Sequence, residues 1–129
     1  MWSGWPVERV LFLFLGIVFL AVFVQVGLMH WRQNFRHWAM WVPVVGTPAL
    51  ALVALLLAWQ NVGFLRQLFV WLSAAGVLSG LAGSYYHLEG VGERVDGYTL
   101  NNFMVGPPIT LPLLVSALSV LGLIVVYML

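Results

Sequence analysis

Residues 10–31 read VLFLFLGIVFLAVFVQVGLMHW, twenty-two residues without a single charge. A charged side chain at bilayer depth costs about 2.5–3.5 kcal/mol even on the lenient insertion scale, so charge-free gaps show where a chain can cross. Three further gaps follow, over residues 37–65, 67–88 and 97–129. Each is longer than the roughly 20 residues that a spanning helix requires. Four crossings fit, with spans predicted at 7–29, 39–59, 64–86 and 107–128. The first could be read as a cleaved signal peptide, but its apolar run is too long and its lead-in, Glu8-Arg9, has no net positive charge.

Four spans return both termini to one face, side A, and put the connections 30–38 and 87–106 on side B. Short links make consecutive helices antiparallel neighbours. The expected architecture is therefore all-α: one integral membrane domain over residues 1–129, an up-down-up-down four-helix bundle with a long side B loop at 87–106. The interfacial aromatics agree. Trp2, Trp5, Trp59 and Tyr127 mark side A, while Trp31, Trp38, Trp41, Tyr85, Tyr86 and Tyr98 mark side B. Trp71 stands a turn inside the third span and is expected to face lipid. Arg9 and Arg66 on side A stand against Arg32, Arg36 and Arg94 on side B, a balance that leans towards a cytoplasmic side B.

Composition excludes the water-soluble classes, because 63% of residues are hydrophobic, 7% are charged and the mean hydropathy is +1.02, where a soluble domain is about a quarter charged. Five arginines, no lysine and a net charge of +1 offer no basic field for nucleic acid. The expected partners are the lipid bilayer and other membrane subunits, or further copies of the chain. With no cysteine there are no disulfides, thiolate metal sites or thiol nucleophiles. No Ser-His-Asp order, phosphate-binding glycine loop or His-Glu-x-x-His helix is present, and no acid lies near a midplane as transporters usually need.

The third span is dense in small residues, Ser73-Ala74-Ala75-Gly76-Val77-Leu78-Ser79-Gly80-Leu81-Ala82-Gly83-Ser84, which lets another helix approach closely. It is expected to be the central helix. At 100° per residue Gly76, Gly80, Gly83 and His87 share a face, and in the first span His30 lies near the face of Gly16 and Gly27, so both imidazoles point inward at side B. The second and fourth spans enter from side B through Pro43 and Pro48, and through Pro107, Pro108 and Pro112. Pro48 and Pro112 are expected to bend their helices, with Thr47, Thr110 and Ser116 available to the freed carbonyls. Gln25 reads as an interhelical hydrogen bond, Arg66 as a residue snorkelling to side A, and Asp96-Gly97 as a turn.

All three histidines, His30, His37 and His87, and three of the four acids, Glu89, Glu93 and Asp96, map to side B. Three chemistries use them. His30 and His87, on different helices at one level, can ligate a b-type haem from both sides. His30, His87, Glu89 and Glu93 form a mixed N/O set suited to a divalent metal such as Zn, Mn or Fe. His30 or His87, with Arg32 or Arg36 and aromatic walls, suits a quinone-type pocket. His37 is the weaker ligand, about 10 Å from His30 along a continuous helix. The structural alternative has His30 and His87 capping helix C-termini while the acids pair with Arg32, Arg36 and Arg94. The expected function is a small subunit or anchor of a membrane redox or energy-converting complex, acting in electron transport. The rival is a homo-oligomeric channel or carrier packed along Gly76 and Gly80, or a purely structural membrane subunit.

Overall fold

The computed structural model describes residues 1–94 and 96–129, with Arg94 described by its backbone alone. It is all-helical, with 82% of residues in helix and no strand among the described residues. Helix α1 spans Val7–Arg32, and a 3-10 turn at Trp38–Met40 leads into α2, Trp41–Trp59. Helix α3 spans Gly63–Arg94, a short α4 spans Leu100–Val105, and α5 spans Thr110–Met128. Four of these, α1, α2, α3 and α5, are long and apolar enough to cross a membrane.

The long helices form a ring in chain order. Helix α1 packs most extensively on α2 and α3 on α5, giving two hairpins, and the α2–α3 and α1–α5 seams join them. Helices α1 and α3 therefore oppose each other across the ring. Phe12, Leu15 and Phe19 of α1, Leu57 of α2, Phe69 of α3 and Val125 of α5 are completely buried in the middle. No helix is central: α3 buries 22% of its apolar window against 33% for each of the others. Its small residues serve one seam, not the whole bundle.

That seam faces α5. A Cβ on Gly76 would meet the Ser119 side chain, one on Gly80 would lie 2.6 Å from the Pro112 carbonyl oxygen, and one on Gly83 would lie 3.1 Å from Pro112 Cβ. The inward face predicted for α3 exists, but α5 of the same chain fills it. A channel assembled from copies along Gly76 and Gly80 is thereby denied its packing surface. Ser116 donates to the Val77 carbonyl at 2.8 Å, tying the two helices where they approach most closely. Buried Ser73 and Ser119 have no hydrogen-bond partner among the described residues, and their small size is what the seam uses.

Several boundaries differ from expectation. Residues 87–94, expected in the loop, continue α3 for two more turns. Gly90 and Gly92, each a cost of about 1 kcal/mol in a helix, are where Pro107 and the Tyr98 ring press against it, and Val91 between them is fully buried. Packing outweighs propensity there. Asp96 and Gly97, with φ of 57° and 127°, make the expected turn. Pro112 sits in the first turn of α5, where a missing N–H leaves the helix itself intact and causes no interior kink. Thr47 donates to the Pro43 carbonyl at 2.6 Å, one turn back in the Pro48-containing helix. Gln25 faces outward and bridges no helices, and Trp71 is exposed, as a lipid-facing ring would be.

At the end opposite the histidines, Arg66 is held among side A residues. It forms an ion pair with Glu8, donates to Asn61 Oδ1 at 2.5 Å and lies over the rings of Trp2 and Phe12. Trp2 Nε1 donates to the Leu57 carbonyl at 2.6 Å, and Arg9 Nε to that of Ala58 at 2.8 Å. These bonds take up carbonyls in the last turn of α2, which would otherwise lack donors.

Candidate functional site

At the side B end the ring of helices opens into a cavity of about 740 Å³. Its size is that of a small-molecule site, and apolar walls carry a few converging polar groups. His30 of α1 and His87 of α3 line it from opposite sides of the ring. Arg36, His37, Glu89 and Glu93 line it as well. Arg32 is exposed and lies outside the lining, so of the two arginines expected at a cofactor only Arg36 is there. Asp96 is exposed and also outside.

The ligating groups do not converge as a metal set. Among the described residues no three His, Asp or Glu side chains come together in a way that could hold a metal ion, so His30, His87, Glu89 and Glu93 share a cavity without sharing a coordination point. Nor do the acids pair as the structural alternative supposed. Among the described residues the ion pair Glu8–Arg66 is the only one, and the expected pairing to Arg94 lies outside the described side chains.

Both inward imidazoles are pinned at Nδ1. His30 Nδ1 is 2.8 Å from the Met40 carbonyl oxygen, and His87 Nδ1 is 2.5 Å from that of Pro108. A carbonyl only accepts, so each Nδ1 carries the proton and each neutral ring keeps its lone pair on Nε2. These bonds are not the helix caps of the structural alternative: neither ring bonds a carbonyl in the last turn of its own helix, and each instead bonds the chain just before the next long helix. The Pro108 carbonyl is open to this because its partner in a helical ladder would be the N–H of residue 112, and Pro112 has none. His87 is also no C-terminal cap, since α3 runs on to Arg94.

His37 arrives by a route that helix periodicity could not reveal. Helix α1 stops at Arg32, and Asn34 and Phe35 take left-handed φ of 58° and 47°, with the Phe35 N–H returning to the His30 carbonyl at 3.1 Å. Phe35 stacks on Trp41 at 3.9 Å between centroids, a contact that favours this tight reversal despite its backbone strain. The chain folds back and places His37 on the cavity rim beside the Tyr86 ring, 5.3 Å away. Its Nδ1 accepts from the Ala39 N–H at 3.1 Å, which puts the proton of the neutral ring on Nε2. The cavity therefore offers two imidazole acceptors and one imidazole donor, with the Arg36 guanidinium as a further donor.

Among the described side chains, two carboxylates against one guanidinium make the lining a poor host for an anion. No protein-family model, curated protein or solved structure matches the chain.

Proposed function

We propose that the protein is a small membrane subunit of a redox complex whose side B cavity binds a dihydroxy-aromatic ligand of the quinol class between His30 and His87. The observation that carries this reading is the shared tautomer of the two rings. Each presents an Nε2 lone pair from an opposite wall of one cavity, the complement of a ring with hydroxyl donors at both ends. Oxidation of such a ring to the quinone releases protons, which the two imidazoles can take and the carboxylates of Glu89 and Glu93 can relay to the aqueous edge. The electrons pass to a metal-centred acceptor on an adjoining subunit. In the oxidised ring the ligand oxygens become acceptors, for which the His37 Nε2–H and Arg36 are the available donors.

A b-type haem is the second reading, supported by the same two Nε2 atoms, since a metal-ligating histidine commonly donates its other ring N–H to a carbonyl. A haem also carries two carboxylates, which Glu89 and Glu93 would repel, with Arg36 the one guanidinium among the described lining side chains, and this favours the neutral quinol.

The test is binding of a chainless benzoquinol to the purified full-length protein, followed by quenching of tryptophan fluorescence. His30→Ala and His87→Ala are each expected to weaken it about tenfold, the loss of one buried hydrogen bond of about 1.5 kcal/mol. Unchanged binding in both variants removes the reading. A Soret band in the purified protein that His87→Ala abolishes would establish the haem in its place.

A further inference from the structure

A side branch leaves the cavity between α2 and α3. It has a volume of about 90 Å³ and shares Val42, Pro43, Ser79 and Val115 with the main cavity, so the two spaces adjoin. Its other walls are Gly46, Thr47 and Leu50 of α2 and Leu72, Ala75 and Gly76 of α3; they are mainly apolar, and the hydroxyls of Thr47 and Ser79 already donate to the Pro43 and Gly76 carbonyls. Ala75 is exposed on the outer surface of the bundle, so the branch reaches the face that lipid would cover. It follows one of the two seams between hairpins, where the helices pack less extensively than within a hairpin.

We infer that this branch carries the hydrocarbon tail of the ligand, so that the cavity takes a lipid-tailed quinol whose ring lies among the histidines and whose chain runs out between α2 and α3 into the bilayer. The inference rests on the quinol reading of the cavity. A space of this size has room for several waters. Walls this apolar offer a water few of the two to four polar partners it needs. A polar headgroup meets the same objection, and a phosphate would also face the acids of the main cavity. A flexible hydrocarbon chain meets neither obstacle. Gly46 lines the branch, and a Cβ there would find no atom within 4 Å. A larger side chain there enters the branch without straining the helix.

The experiment compares two ligands in lipid nanodiscs, a benzoquinol with a decyl chain and the same ring without one, each measured against itself across variants so that partitioning into lipid cancels. Gly46→Phe is expected to weaken the chain-bearing ring by at least about tenfold, the scale of an overpacked site, and to leave the chainless ring unchanged. Gly27→Phe, at another glycine with open space around it but outside both cavities, is expected to leave both ligands unchanged. Retained binding of the chainless ring reports an intact fold. Should Gly46→Phe lose the chainless ring too, Ala75→Phe, from the opposite wall, repeats the test. If chain-bearing ligand binds equally well with the branch plugged, the tail route is overturned while the quinol site stands. If neither ring binds the wild-type protein, the quinol site falls and the tail route with it.

Discussion

Replacing Gly80 by alanine tests the packing on which the cavity is built. The added Cβ would lie 2.6 Å from the Pro112 carbonyl oxygen and 2.7 Å from the Ser116 nitrogen, both main-chain atoms of α5, and against the Ser116 hydroxyl. Ordinary contact begins near 3.4 Å, so α5 must retreat by several tenths of an ångström, because backbone cannot rotate aside as a side chain can. Overpacking of this kind costs about 1–3 kcal/mol. Weakening the Ser116 to Val77 bond adds about 0.6 kcal/mol by the average for interhelical bonds in membranes. Alanine's better helix propensity returns about 1 kcal/mol. The net is a destabilisation of about 0.6–2.6 kcal/mol, a shift of roughly 3- to 80-fold in the folded-to-unfolded ratio. Gly27→Ala is the matched control: no atom lies within 4 Å of its Cβ, so propensity acts alone and the change is stabilising. Reversible unfolding of both variants by SDS in mixed micelles, followed by tryptophan fluorescence, reads the sign directly. Two variants that move in the same direction would refute the close α3–α5 seam.

Glu8→Gln or Arg66→Met alone is expected to destabilise the fold by about 1–2 kcal/mol, between the values for exposed and buried pairs, because the two side chains are 16% and 25% exposed. The exchanged pair, Glu8→Arg with Arg66→Glu, is expected to recover part of that loss in the same SDS titration, and additive losses would show that the residues do not interact. Pro112→Ala supplies an N–H that competes with His87 for the Pro108 carbonyl. Nitrogen-15 NMR of the imidazoles is then expected to show His87 moving from protonated Nδ1 towards a mixture of neutral tautomers, with weaker quinol binding. A His87 spectrum unchanged by the substitution would mean that the proline plays no part in fixing the ring.

The four long helices could be read in the sequence because the penalty for a charge in lipid does not depend on what the helix packs against. Arg9, Arg32, Arg36, Arg66 and the acids of residues 89–96 therefore mark the ends of spans whatever the fold. Helical periodicity likewise puts Gly76, Gly80, Gly83 and His87 on one face, since a 100° step belongs to the helix itself. The same arithmetic brought His30 and His87 to one level. It could not say which neighbour the glycine face meets. A lone helix face is equally suited to a second copy of the chain or to another helix of the same chain, and the α5 serines and Pro112 settle this only through their position in the ring.

The remainder of the site was decided by tertiary contact. The continuation of α3 to Arg94 runs against the local propensity of Gly90 and Gly92 and is held by the burial of Val91 and by Pro107. His37 enters the cavity because two left-handed residues reverse the chain, which moves it off the axis of α1. The tautomers of the three histidines follow from Met40, Pro108 and Ala39, partners that no spacing along the sequence could single out for the bonds they make. Which stretches are apolar enough to cross a membrane is a property of the chain alone, whereas what each imidazole donates or accepts depends on which backbone groups the closed ring of helices presses against it.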